Sequence, residues 1–558
     1  MNNISRRSML LSLGAATLGA ATLGLTGCSS DGGDDKKGSD LSKNRTDAMD
    51  KFSAGDQFKA TAPFTLTTLL NDNPAYPEKD NWLFWTELAK RTNVTLKPTV
   101  VPLSDYENKR SVILGAGDAP FLIPKTYPGQ EVAFVSSGAI LPVSDYIDLM
   151  PNYKATIAKW NLQGDVETLV QDDGKYYVLP GLHQDVWIDY SFAVRTDILD
   201  ALGLQVPKTL DDLYNVLKAM KAAHPDSYPM TDRWSQPTPG GAMLQTFGQA
   251  FGAGYGGGWG YANASYDSAS DKFVLTGAMD QYKAMLEYVH KLVSEKLLDP
   301  ESFTQTDDQA EAKFNSGKSF VISTNAQELV NTYRPGLAKG QPNAKIVKIP
   351  VPVGPAGESK VGLRLENGLM ISKKARDSKD FVAIMQFVDW LFYSDEGKIF
   401  TKWGVENVTY TRDASGNFKL TKDIDYVGLN PTGTKKLNGD FGFSNGNFSY
   451  GGSTQLLEST FSDEEKAFQA VMTARKTLPV PPPHPLNADE QEQYSLYEAP
   501  LKDYVTQQTL KFILGERPLS EWDKYKSELK GKNGDQYLSL LNGAYDRYKQ
   551  KKNGSDKS

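Results

Sequence analysis

The 558-residue chain offers few groups that could do covalent chemistry. Cysteine occurs once, at Cys28, so the chain can form neither an internal disulfide nor a thiolate metal cluster. The four histidines are His183, His224, His290 and His484. No two of them stand at metal-ligand spacing, and none pairs with Cys28. No Gly-x-Ser-x-Gly elbow and no Walker loop occurs. Gly252, Gly254 and Gly257 match a dinucleotide-binding spacing. They follow a helix-like run over 243–251 and not a strand, so they read as a flexible loop. No Asp-x-Asp-x-Asp-Gly loop marks a calcium site. Carboxylates remain, and two of them flanking a glycosidic bond can hydrolyse it. A surface glycosidase or lyase is therefore the enzymatic alternative. The expectation is no enzyme, no cofactor and no metal.

Cys28 has a different chemistry in prospect. Arg6 and Arg7 precede an uncharged stretch over 9–26, rich in Leu, Ala and Gly. A basic start followed by a short apolar run is a secretory leader. The stretch is at or below the roughly 17–25 residues that span a bilayer. It closes on Leu25-Thr26-Gly27-Cys28, which resembles the bacterial lipobox, in which the cysteine thiol is acylated and becomes the new N-terminus. The predicted leader is 1–27 and the lipid anchor is Cys28, holding the protein on the extracellular face of the cell membrane. Arg6-Arg7 also resembles the twin-arginine export signal, and the export route stays open. Ser29 to Asp40 carries no apolar side chain beyond glycine, so 28–58 is expected to be a disordered tether. The net charge of −7 becomes −9 once Arg6 and Arg7 are removed, which argues against a nucleic-acid partner. A monomer is expected.

The body must then position whatever binds. Its length calls for at least two domains. Phe64, Leu66, Thr68 and Leu70 alternate as a strand, and 80–91 follows as a helix. Val94, Leu96 and Val100 form a second strand, which Pro98 places near an edge or an end. Ser104 and Glu107 have capping-box spacing before a helix ending at Gly115. A third strand over 119–123 and a helix over 132–138 complete a strand–helix alternation that implies a parallel sheet with helices on its faces. Further on, Thr209 is the expected N-cap of a helix carrying Leu213, Val216, Leu217 and Met220. Tyr282, Met285, Leu286, Val289 and Val293 form one helical stripe, and Phe381, Ile384, Met385, Val388 and Phe392 form another. Both are expected to face a core.

Five segments in this order carry a family resemblance. They are Asp173-Gly174-Lys175-Tyr176-Tyr177-Val178-Leu179-Pro180, Pro207-Lys208-Thr209-Leu210-Asp211-Asp212-Leu213, Phe314-Asn315-Ser316-Gly317-Lys318, Tyr393-Ser394-Asp395-Glu396-Gly397, and Trp403-Gly404-Val405-Glu406-Asn407-Val408-Thr409-Tyr410. Together they resemble the extracellular solute-binding proteins of ABC importers, the group that includes maltose-binding protein, in its Gram-positive lipoprotein branch. Asn407 stands where the family has Gly. The resemblance implies an α/β fold of two lobes, each a mixed or parallel sheet flanked by helices, joined by a hinge that the chain crosses three times. The crossings are placed at 182–187, 361–368 and 404–409. The expected boundaries are 59–183 and 368–404 for the first lobe, 187–362 and 408–545 for the second, and 546–558 for a flexible tail. It also implies a permease partner and a ligand between the lobes.

A sugar presents apolar ring faces and many hydroxyls, so its site needs flat aromatics with carboxylates and amides. Loops near the crossings supply candidates: Asn73 and Tyr76 after the first strand; Asp185, Trp187 and Tyr190 at the first crossing; Arg233 and Trp234 after a short strand-like run. Tyr255 and Trp259 lie in the glycine-rich loop, Arg364, Glu366 and Asn367 at the second crossing, and Trp403 and Glu406 at the third. The bland alternative for each is core packing or a structural ion pair. The aromatic loops favour a carbohydrate, and the large body favours an oligosaccharide. A peptide or osmolyte receptor, and an adhesin or sensor on the same scaffold, are the other readings.

Overall fold

The computed structural model describes residues 40–235 and 238–555. The leader, Cys28 and the tether up to residue 39 lie outside the described residues. Strands β1 (Phe64–Asp72), β2 (Val94–Pro102), β3 (Leu122–Thr126) and β4 (Leu179–Leu182) precede the first passage between lobes. Strands β5 (Ser191–Arg195), β6 (Val321–Thr324) and β7 (Ile346–Ile349) follow it, and β8 (Leu365–Ile371) returns. The first sheet has the order β2-β1-β3-β8-β4. β1 pairs parallel with β2 and β3, and β8 runs antiparallel to both β3 and β4. β2 is an edge strand, where Pro98 costs no ladder bond on its free side.

The second sheet has the order β6-β5-β7, with β5 antiparallel to each neighbour. The α/β two-lobed fold is present. The first sheet is mixed, and the second pairs antiparallel because β5 leaves the hinge while both partners return towards it.

Helices α1 (Leu83–Thr92), α2 (Tyr106–Gly115) and α3 (Pro151–Trp160) belong to the first lobe; α4 (Leu210–Ala223), α5 (Gly241–Phe251) and α6 (Asp280–Ser294) belong to the second. The chain returns to the first lobe for α7 (Phe381–Tyr393) and α8 (Asp395–Trp403), then builds α9 (Asp463–Thr473), α10 (Ala488–Leu514) and α11 (Gly534–Ser555) onto the second. Thr209 caps α4 as expected. Its side chain accepts from Asp212 N–H at 3.0 Å, and the Asp212 carboxylate accepts from Thr209 N–H at 3.0 Å. Ser104 does not cap α2, because it lies in a 3₁₀ turn and the helix starts at Tyr106.

The α6 stripe is buried through Tyr282, Met285, Leu286 and Val289, with Val293 at its margin. Truncating Leu286 to Ala there would cost about 2–5 kcal/mol. α7 is buried on every side. Its Asp389 answers the free N–H groups at the start of α3, accepting from Asn152 and Tyr153 at 2.9 and 2.8 Å.

Four expectations about organisation change. The tether is not featureless up to 58: Phe58 is fully buried between Phe52 and Phe387, each at 6.1 Å. Met49 N–H donates to Gln386 at 2.9 Å. Phe52 and Phe58 bring the apolar surface that residues 29–40 lack. The tail is not loose over its described residues 546–555 either, since α11 runs to Ser555 and Lys551 and Lys552 reach Asp172 and Glu167 of the first lobe at 3.3 and 3.0 Å.

The third passage does not lie at 404–409. Residues 410–452 fold back on the first lobe, with Phe418 stacked on Trp403 at 5.0 Å, Phe448 on Phe84 at 4.9 Å and Tyr450 on Phe392 at 5.5 Å. The chain joins the second lobe only with α9, whose Phe468 and Met472 enter that core, so the passage falls at 453–462. The glycine-rich segment is tightly packed and not a flexible loop. A β-carbon on Gly248 would stand 2.1 Å from the Gly256 nitrogen, so a bare backbone is required where α5 meets the turn.

Candidate functional site

Between the lobes lies a cleft of about 610 Å³, within the range of small-ligand sites. The hinge strand β8 builds its floor. It pairs Leu365 with Leu182 and Glu366 with Gly181, then shifts register before Leu369. A bulge re-aims side chains, and Glu366 and Asn367 both line the cleft.

Glu366 Oε2 accepts from His183 Nε2 and from Gly451 N–H, each at 2.8 Å. Burial alone would raise its pKa. The His183 contact, the Lys402 charge and the Gly451 N–H outweigh burial and hold it down at about 2. Lys402, on the last turn of α8, stands 3.3 Å from Ser449 Oγ. Burial lowers its pKa, and Glu366 opposes that shift.

The second lobe contributes an aromatic wall. Tyr190 packs edge-on to Trp234 at 5.5 Å, and Trp259 supports both at 5.4 and 5.3 Å. Trp187, on the hinge segment, stacks on Phe461 at 6.3 Å. Asp189 lines the same wall. Its carboxyl is pushed up to about 6, chiefly by burial, with Lys348 opposing and Glu465, Glu366 and Glu328 adding to the rise.

Several polar atoms at the cleft are buried without a protein partner: Trp187 Nε1, His183 Nδ1, Asn367 Nδ2 and Glu464 Oε1. Such atoms are rare unless a ligand or water satisfies them. Strain gathers here too. Lys125, Trp234, Val427 and Ser444 have φ of 57°, 61°, 49° and 52°, and all four line the cleft. Left-handed backbone is costly for side chains such as these and clusters at functional sites.

The structure brings Asn73, Tyr76, Trp187, Tyr190, Trp234, Glu366 and Asn367 to the cleft. It places seven expected residues elsewhere. Arg233 is buried behind the wall against Asp307, Glu311 and Glu328 at 3.1, 2.7 and 2.8 Å, so its guanidinium is already occupied. Trp259 supports Trp234 from outside the lining. Arg364 binds the Trp160 and Asn161 carbonyls at the end of α3, each at 2.9 Å, and pairs with Asp165. Cationic side chains are favoured at a helix C-terminus.

Asp185 accepts from the Thr454 hydroxyl. Trp403 is core, its Nε1 donating to Ser459 at 3.0 Å. Glu406 faces Arg412 at 3.7 Å. Tyr255 lines a separate, mainly apolar groove of about 770 Å³ in the second lobe. Asn407 has φ of 64°, a left-handed backbone that asparagine tolerates.

Lys125, His183, Asp189, Asn325, Glu328 and Lys402 also line the cleft and were not singled out from sequence. His183 and Asp189 flank Trp187, so their position beside the first passage was the available signal. Lys125 and Lys402 lie in no element or motif that the sequence singled out.

The chain belongs to the family of bacterial extracellular solute-binding proteins, whose pattern it matches over residues 82–399, more than half its length. It is 25% identical over 543 residues to a fructooligosaccharide ABC transporter substrate-binding protein, FusA, of Streptococcus pneumoniae, covering 92% of this chain and 96% of that one. It is 23% identical to the polygalacturonan/rhamnogalacturonan-binding protein YtcQ of Bacillus subtilis, covering 85% and 89%. Among solved structures, the alginate-binding protein AlgQ2 superposes with a TM-score of 0.69 at 22% identity, covering 88% of this chain and 99% of that one.

Proposed function

We propose that this protein is the receptor subunit of an ABC importer, anchored through acylated Cys28 on the outer face of the membrane. In this reading it acts as a monomer, captures an oligosaccharide between its lobes and passes it unchanged to a permease. The observation that carries the reading is the cleft itself. Aromatic faces from Trp187, Tyr190 and Trp234 stand beside carboxylates, amides and unpartnered polar atoms. Rings stack on the first set, and hydroxyls satisfy the second. The relatives' names point the same way, since all three proteins are named for glycans.

Ligand contacts made from both walls at once exist only when the lobes are together. A ligand therefore shifts the population towards closure by as much as its affinity differs between the two forms. The closed form presents the surface a permease can distinguish.

The test is a thermal-shift screen against oligosaccharides, with peptides and osmolytes as controls. A ligand at a hundred times its Kd stabilises by about 2.7 kcal/mol. A shift with a glycan that is recovered intact after long incubation supports the reading. A shift with peptides or osmolytes alone overturns the sugar, and cleavage of the glycan overturns the receptor.

A further inference from the structure

The relatives divide by the charge of their cargo. Fructooligosaccharides are uncharged, whereas polygalacturonan and alginate carry carboxylates along the chain. Family membership leaves this choice open, and the charges lining the cleft bear on it.

The cleft is lined by Asp189, Glu328, Glu366, Glu464 and Glu465 against Lys125 and Lys402, with no arginine among its lining residues. Most of these carboxylates are answered from behind. Glu328 pairs with Arg233 at 2.8 Å, Glu464 with Arg334 at 2.5 Å, Glu465 with Lys348 at 2.9 Å and Glu366 with His183 at 2.8 Å. Asp189 is the exception, with no hydrogen bond and no ion pair to its carboxylate among the described residues.

The arginines that pair with these carboxylates are thus already engaged. Arg233 is spent on three acids, and Arg334 is held by Glu464. Planar bidentate recognition of carboxylates is an arginine task. On the first lobe, Lys402 faces Glu366 and Ser449. Lys125 lies over the Tyr127 ring at 5.5 Å. At Asp189 a hydroxyl finds an acceptor and a sugar carboxylate meets like charge; Lys125, on the opposite wall, has no ion pair among the described residues.

We propose that the cleft selects uncharged oligosaccharides over acidic ones, with the unpaired Asp189 carboxylate as the residue that sets the preference. The inference rests on the carbohydrate reading above. Asp189 accepts a sugar hydroxyl and repels a sugar carboxylate from one position.

The test measures Kd by calorimetry on the full chain with two panels matched in length. One holds neutral fructo-, malto-, xylo- and manno-oligosaccharides; the other holds oligogalacturonates and oligoalginates. At least one neutral glycan is expected to bind, with every uronate weaker by about a hundredfold or more, since like charges brought together at an interface cost several kcal/mol. Asp189→Asn, checked for an intact melting transition, is expected to narrow that ratio at least tenfold, which a merely structural role would not do. A uronate that binds as tightly as the best neutral glycan overturns the selectivity and leaves the carbohydrate reading in place. An unchanged ratio in the variant overturns the role of Asp189. Binding of neither panel, with a peptide or osmolyte bound instead, removes the carbohydrate reading and this inference with it.

Discussion

The two walls of the cleft are built on different plans. On the second lobe each glutamate carries its own cation inside the same lobe: Glu328 with Arg233, Glu464 with Arg334, Glu465 with Lys348. Trp234 is wedged between Tyr190 and Trp259. That wall is assembled before any ligand arrives. The first-lobe wall holds its acid at a sheet bulge, through a hinge histidine and a backbone N–H, and leaves Asn367 Nδ2 and His183 Nδ1 without protein partners. The second wall is mostly paired within its own lobe, with Asp189 and Glu464 Oε1 left open, whereas the first wall offers amide and imidazole nitrogens with bonds still to make. Groups with bonds to spare govern affinity, and groups already paired govern stability.

The largest test of that contrast is Arg233→Met. It leaves three carboxylates uncompensated behind the second wall and is expected to cost about 3–5 kcal/mol, read as a lowered denaturation midpoint. A loss of affinity with unchanged stability would make Arg233 a ligand residue after all. Next comes the pair Trp187→Ala and Trp403→Ala. The core tryptophan should cost about 3–5 kcal/mol of stability. Trp187→Ala should weaken glycan binding by about 2 kcal/mol or more, as a contact hot spot does, while moving the melting temperature little. Equal stability losses in the two variants would merge the walls with the core.

The two unlike acids offer a finer test through pH. Glu366 is depressed to about 2, so the stability it contributes is fully present above its ordinary value of 4.5 and is lost as pH falls from there through 2. Asp189 is raised to about 6 from an ordinary 3.8, so it lowers stability as pH rises through that window, with the full penalty above 6. Asp189→Asn should therefore raise the melting temperature at pH 7.5 and give no gain below pH 3.8. Glu366→Gln should lower the melting temperature at pH 7.5, with the loss shrinking below pH 4.5. Parallel pH profiles for the two variants would break the contrast.

The smallest effect is expected at Gly428. Val330 of the second lobe stands 3.1 Å from where a β-carbon would be, and φ is 78°. Gly428→Ala should weaken binding a few-fold by obstructing the approach of the lobes, measured as a faster ligand off-rate.

Much of this architecture could be read from residue patterns. The Thr209 cap, the edge placement of Pro98 and the α6 stripe follow from local rules that the tertiary fold does not override. Trp187, Glu366 and Asn367 stand beside the first two crossings and Trp234 follows a strand-like run, and these positions made them candidates for the cleft they line. The errors have equally definite causes. Arg364 and Asp185 are at the first two crossings but are bound to a helix end and a threonine hydroxyl, contacts remote in sequence. Trp403 and Glu406 were misplaced because residues 410–452 return to the first lobe, a detour recorded only in long-range stacking such as Phe448 on Phe84. Lys125 was missed because its left-handed turn at the end of β3 has no glycine to announce it.

The left-handed backbone at Val427 has a consequence for how such a protein can change. A β-branched residue is among the worst choices for φ near 49°, and glycine or asparagine would relieve the strain. A laboratory selection for heat resistance alone should therefore replace Val427 early. The survivors would outlast their parent in a hot tube and grow less discriminating about cargo, because the same turn shapes the rim of the cleft.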